Sequence, residues 1–243
     1  MMEMTESGSG LHIADHLSAE WRLLLIEDSP TYQVLVASLL EEQGFQLKVA
    51  GEGRVGLDEV RGWQPDLVLL DLGLPDIDGM SVCEEIRALS DAFIIMLTGR
   101  DDDDSRFSGL RVGADAYVTK PFDNRELLLA IEVLLRRSKP RQGLPDVVVI
   151  GALSIDRAAR QVELDDRQIH LTTIELLLLE RLASAHGDVV SRSDLMACLW
   201  GPNWVGDDHV ISVHVANLRK KIDPESLGRI ETMRGVGYRL RVR

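Results

Sequence analysis

LVLLDLGLPDIDG, residues 67 to 79, is the stretch that decides the fold. Four apolar residues, Leu67 to Leu70, run without a polar break into Asp71, and a turn containing Gly73, Pro75, Asp76 and Gly79 follows. A run that short and uniformly apolar, bounded by turn residues, suits a strand buried on both faces, the habit of parallel sheets. Moving outward, LLLI (23 to 26), LKVA (47 to 50), FIIML (93 to 97) and AYV (116 to 118) repeat it, with helical patterns between them. Strands alternating with helices predict an α/β unit, a (βα)5 doubly wound parallel sheet. In such a sheet functional groups collect beyond the carboxyl ends of the strands. The sequence puts Glu27 and Asp28 after the first strand, Asp71 after the third, Thr98 after the fourth and Lys120 after the fifth.

After SKPRQGLPD (138 to 146), which is polar and rich in Pro and Gly, the pattern changes. Short strands are expected at VVVI (147 to 150), QVEL (161 to 164) and RQIHL (167 to 171), then three helices and a terminal two-stranded ribbon around Gly235 and Gly237. Thr172 and Ser191 are set to cap the first two helices, Asp207 or Asp208 the third, and Pro224 ends it. The expected organisation is an extension over 1 to 20, one domain over 21 to 138, a linker over 139 to 146, and an α+β winged helix-turn-helix domain over 147 to 243.

The chain is 243 residues long, 45% hydrophobic and 28% charged, enough for two buried cores. Its net charge of -13 is unevenly spread: the first 143 residues hold 14 basic and 26 acidic side chains, the remaining 100 hold 13 and 14. From Arg219 onward 8 basic residues face 3 acidic ones, so the tail can meet a polyanion. The start of the chain lacks the basic residues of a secretory signal and no apolar run spans a bilayer, so a cytoplasmic protein without membrane partner is expected. Cys83 and Cys198 fall in different halves without metal-ligand spacing and read as reduced thiols.

Three carboxylates at one sheet edge repel one another and raise each other's pKa unless a cation sits among them. A hard divalent ion, most simply Mg²⁺, fits oxygen ligands of this kind and prepares a site for phosphoryl transfer. Asp71 would then be the nucleophile, Lys120 would neutralise developing charge, and Thr98 would donate its hydroxyl to a phosphoryl oxygen. A dehalogenase-type phosphatase would need an acid where Gly73 stands, and a dinucleotide fold would need glycines where EDSPTY follows the first strand. With the acidic pair, LDLGLPDIDG, the Thr and the Lys-Pro pair in place, residues 21 to 138 resemble a response-regulator receiver domain. The resemblance implies Asp28 and Asp71 as direct Mg²⁺ ligands, Glu27 acting through water and the Gly73 carbonyl as a further ligand. It also implies a cis Lys120–Pro121 bond, Tyr117 as a switch aromatic coupled to Thr98, and a sensor histidine kinase as phosphodonor.

In the third helix Ile211, Val215, Leu218 and Ile222 form a core stripe. Val210, Val213, His214, Asn217 and Lys221 form a second stripe whose valines need covering, and a DNA major groove would cover them. Arg219, Lys220 and Lys221 would flank it near phosphates, and Arg234 stands at the tip of the ribbon. HLTTIELLLLERL, VSRSDLMACLWG, VHVANLRKKI and TMRGVGYRL together resemble the OmpR/PhoB-type winged-helix effector domain. This implies groove contacts from His209, Val210, Val213, His214 and Asn217, phosphate contacts from Arg219, Thr232 and Arg234, and an RNA polymerase loop over 200 to 206. It implies a transcriptional regulator acting on promoter DNA, not an enzyme, that forms a homodimer on phosphorylation. Ala216 and Asn217 replace a common arginine pair. Arg106 and Glu126 can supply one dimer charge pair, whereas Ala116 and Ala130 replace others. The competing expectation is an interaction protein whose second domain docks RNA polymerase or another protein rather than specific DNA.

Overall fold

A computed structural model describes residues 21–99, 113–137, 147–201, 209–224 and 228–241. Expectations that fall on 1–20, on the helix between the fourth and fifth strands with Arg106, on the linker, on most of the 200–206 loop and on Asp207 and Asp208 lie outside the described residues.

The first half is built on five parallel strands: β1 (Arg22–Ile26), β2 (Gln46–Ala50), β3 (Leu67–Asp71), β4 (Phe93–Gly99) and β5 (Ala116–Lys120). They are ordered β2-β1-β3-β4-β5, with α1 (Pro30–Glu42), α2 (Gly53–Trp63), α3 (Gly79–Leu89) and α4 (Asn124–Arg137) connecting or following them. The central strands are apolar along most of their length because both faces are covered, and β3 is buried along its whole length. At the edge, β2 shows its side chains partly to solvent, matching its more polar QLKVA sequence. Gly79 opens α3 against the turn after β3: a Cβ there would lie 2.6 Å from the Asp71 carbonyl oxygen and the Leu72 Cα. Only glycine lets the helix start so close, and that approach fixes the backbone beneath Asp71.

The second half begins with a four-stranded antiparallel sheet, β6 (Val147–Ile150), β7 (Leu153–Asp156), β8 (Gln161–Leu164) and β9 (Arg167–Ile169). The sequence pattern predicts three of these strands. The additional β7 has the short sequence LSID between turn residues, and its Leu153 and Ile155 face inward. Helices α5 (Thr173–Ala183), α6 (Arg192–Trp200) and α7 (His209–Ile222) follow, then β11 (Ile230–Met233) and β12 (Gly237–Leu240). The terminal ribbon is three-stranded, because β10 (Val190–Ser191) pairs with β12. A Cβ on Gly237 would meet the Val190 carbonyl oxygen at 1.9 Å, so the bare glycine is what admits this pairing.

Thr172 caps α5 through a full capping box: its hydroxyl accepts from Glu175 N and the Glu175 side chain accepts from Thr172 N. Ser191 caps α6 by accepting from Asp194 N. Cys83 is buried, which pushes its thiol up to about 12, and among the described residues neither it nor Cys198 is in a disulfide. Among the described residues no helix is long and apolar enough to cross a membrane.

Candidate functional site: an acidic pocket and a shielded helix

The carboxyl ends of β1, β3, β4 and β5 bring the expected residues together. One oxygen each from Glu27, Asp28 and Asp71 lies within 4.8 Å of the others. Glu27 is fully buried, Asp71 nearly so, and Asp28 is exposed, so the cluster is a pocket with one open side. Lys120 reaches in from the end of β5, with Nζ 2.5 Å from Glu27 Oε2 and 2.9 Å from Asp71 Oδ1. Its ammonium also sits 4.6 Å from the centre of the Tyr32 ring. The Lys120–Pro121 bond is cis.

Three carboxylates against one ammonium leave a negative excess. Desolvation by burial first, with the Asp71 charge behind it, holds the Glu27 carboxyl above its ordinary value against the hydrogen bond from Lys120. Thr98 is fully buried, and among the described residues its hydroxyl has no hydrogen-bond partner. A buried hydroxyl without a partner costs free energy, and an acceptor that reached it would relieve that cost. Thr98 stands beside Thr119 on the neighbouring strand, and Tyr117, partly buried, stands beside Met96. Gly73 passes close by, since a Cβ there would lie 3.6 Å from Asp71 Oδ2. The donor set, carboxylate oxygens with a negative excess, is of the kind a hard divalent cation takes. Asp76 is an addition to the expected residues: it accepts from Gly53 N at 2.8 Å and Arg54 N at 3.0 Å, tying the start of α2 to the turn after β3. No local signal marks it, because the helix it caps lies more than twenty residues upstream.

On α7 the core stripe is as expected, with Ile211, Val215, Leu218 and Ile222 all buried. The second stripe is not the open surface the sequence suggests. Val210 is fully buried, and His214 and Asn217 are 1% and 7% exposed. The first half of the chain supplies part of the cover. Trp200 Nε1 donates to the Asp115 carbonyl at 3.0 Å, the His214 ring centre lies 5.5 Å from that of Trp200, and Asn217 lines a cleft with Arg87, Asp91 and Gly113. Periodicity identifies a face needing cover but cannot say that another part of the same chain provides it. At this seam Arg87 donates to the Gly113 and Ala92 carbonyls and pairs with the buried Asp115, which also accepts from Ile94 N.

Among the remaining expected contacts, Lys220, Thr232 and Arg234 are exposed and Val213 is partly buried. Lys221 pairs with Glu175 at 2.7 Å. Arg219 donates to the Ile230 carbonyl and to Thr232 Oγ1, binding α7 to the ribbon. The His209 side chain lies outside the described residues, and Glu126 is exposed at the start of α4.

Residues 23–132 match the family described as "Response regulator receiver domain", and residues 166–240 match "Transcriptional regulatory protein, C terminal". The chain is 37% identical to the transcriptional regulatory protein CseB of Streptomyces avermitilis, over 93% of this chain and all of that protein. It is 39% identical to the DNA-binding response regulator MtrA of Mycolicibacterium smegmatis, over 90% of this chain and 96% of that one. Among solved structures, a mutant of RitR shares the fold with a TM-score of 0.75 at 24% identity, over 91% of this chain and 99% of that chain.

Proposed function

The chain belongs to the response regulators of two-component systems that act as transcriptional regulators rather than enzymes, and on that premise we propose that Asp71 is its phosphoacceptor and α7 its DNA-reading helix. The observation that carries the first part is the convergence of Glu27, Asp28 and Asp71, with Lys120 paired to the first and the last of them.

A phosphohistidine on a sensor kinase is the donor. An Asp71 carboxylate oxygen attacks phosphorus, the P–N bond breaks, and an acyl phosphate forms. Lys120 holds the attacking carboxylate and balances charge on the transferred group. Asp28, Asp71 and the Gly73 carbonyl would hold Mg²⁺ with Glu27 behind them, and the ion would supply charge neutralisation for the phosphoryl oxygens. Thr98, whose buried hydroxyl lacks a partner, turns to a phosphoryl oxygen, and Tyr117 follows it inward.

The receiver spans 21 to 138, the linker 139 to 146 and the effector 147 to 243, with 1 to 20 an extension, in a cytoplasmic protein. Phosphorylation favours a homodimer, with Glu126 and Arg106 in one of its charge pairs, and paired effectors gain affinity for repeated promoter sites through effective concentration. His209, Val210, Val213, His214 and Asn217 face the groove. Arg219, Lys220, Lys221, Thr232 and Arg234 face phosphates, and the 200–206 loop meets RNA polymerase. The full chain incubated with a small acyl phosphate and Mg²⁺ should take up one phosphoryl group, and Asp71→Asn should take up none. Retained uptake in the variant would move the acceptor elsewhere.

A further inference from the structure

The seam over α7 contains a titratable group that neither phosphoryl transfer nor core packing requires there. His214 is buried, and among the described residues neither ring nitrogen makes a hydrogen bond of normal geometry, the Asp115 backbone offering at most a poorly aligned one. A neutral imidazole carries one N–H and one acceptor nitrogen, so this arrangement leaves them poorly satisfied, a cost that opening to water would remove. The charged groups around it come from several elements. Arg87, at the end of α3, acts on the ring as a cation. Asp115, before β5, has one carboxylate oxygen committed to Arg87 and Ile94 N, and the other buried without a partner, making no bond to the imidazole. From α6 comes the neutral Trp200, and on α5 Glu175 is engaged with Lys221. At the rim of the cleft Asp91 lies 3.1 Å from His170, and Lys220 also lines it.

We propose that this seam is an autoinhibitory latch, closed over α7 at neutral pH and released when His214 takes up a proton. An imidazolium enclosed there would lack water and would have no carboxylate bonded to it, and would face the Arg87 guanidinium. Opening hydrates it and uncovers Asn217 in the same movement, because both residues lie on one face of α7.

The direction follows from linkage. Burial first, then the Arg87 cation, push the closed-state imidazole down to about 3, against a weaker opposing pull from the Asp115 backbone. Hydrated in the open state, it titrates at its ordinary 6.5. The closed state is therefore fully favoured above that value and loses ground as pH falls below it, by up to about tenfold per pH unit. Between pH 7.5 and 5.5 the closed-to-open ratio should drop about tenfold.

The Trp200 indole N–H, bonded across the seam to Asp115, reports opening directly. Its exchange with solvent can be followed by NMR on the full unphosphorylated chain, with Trp200→Phe assigning the signal. After correction for the intrinsic pH dependence of exchange, its protection should fall about tenfold from pH 7.5 to 5.5. It should stay level in His214→Phe and in His214→Gln, two non-titrating side chains of different polarity. Unchanged protection in the unmutated chain, or a matching fall in either variant, overturns the latch. The regulatory consequence rests on α7 reading DNA, but the exchange measurement contains no DNA. A pH-dependent seam with duplex binding that Trp200→Phe leaves unaltered would count against the reading of α7 and not against proton-driven opening.

Discussion

The two ends of β5 solve the same electrostatic problem in opposite ways. At the carboxyl end Lys120 pairs with two of three clustered carboxylates, the third exposed, and on β4 the buried Thr98 hydroxyl is left over. At the amino end Arg87 meets the single carboxylate of Asp115 and turns its other two nitrogens to the Ala92 and Gly113 carbonyls, while Trp200 from the other half of the chain donates to the Asp115 carbonyl. The first arrangement is unbalanced and open, so it can be changed by a ligand. The second is nearly balanced and closed, so it holds two parts of the chain together. Charge count and access, more than the presence of a buried ion pair, separate a reactive site from a structural one.

The largest effect should come from the closed end. Arg87→Met leaves Asp115 buried without its cation and two carbonyls without a donor, and breaking such a pair from one side costs about 3–5 kcal/mol. Urea unfolding of the full chain should show a loss of that order; a change under about 1 kcal/mol would mean that water already reaches the pair. Next comes the open end. Lys120→Ala removes the ammonium from the pocket, and loss of a fixed charge-stabilising donor typically slows transfer about 10²–10³-fold. The initial rate of phosphoryl uptake from a small donor checks this, and a rate within a few-fold of the unmutated chain would relegate Lys120 to packing.

What the sequence makes legible follows the same division. Glu27, Asp28, Asp71, Thr98 and Lys120 are readable because each follows an apolar run, and the doubly wound topology sends all such positions to one edge. Asp76 is not readable as a cap, because the helix start it holds comes from a distant segment. Nor are Arg87, Asp115, Trp200 and His214 readable as a seam. Arg87 sits on an ordinary amphipathic helix and Trp200 reads as core, and the contact between Trp200 and Asp115 spans 85 positions. On α7 the spacing separates two stripes correctly, yet only the three-dimensional arrangement reveals that the second is covered. The strand β7 escapes for a smaller reason: four residues between turns carry too little alternation to distinguish LSID from a loop.

The smallest expected effect extends the contrast between open and engaged charge to the ribbon. Arg234 is exposed in the turn between β11 and β12, where Val236 N donates to the Met233 carbonyl at 2.9 Å, and its charge is free to approach a phosphate. Arg219, on α7, is fastened to Ile230 and Thr232 and lies over the Tyr238 ring. Arg234→Ala should therefore weaken duplex binding by about 1 kcal/mol, uniformly across sequences, and reduce the salt slope of log K by about one contact, leaving the unfolding midpoint unchanged. Arg219→Ala should lower both affinity and stability, since the same guanidinium joins α7 to the ribbon. Binding titrations at two salt concentrations, run beside urea melts of both variants, separate the two roles. Equal stability losses would show that Arg234 is as structurally committed as Arg219, and an unchanged salt slope in Arg234→Ala would remove the ribbon tip from the phosphate contacts.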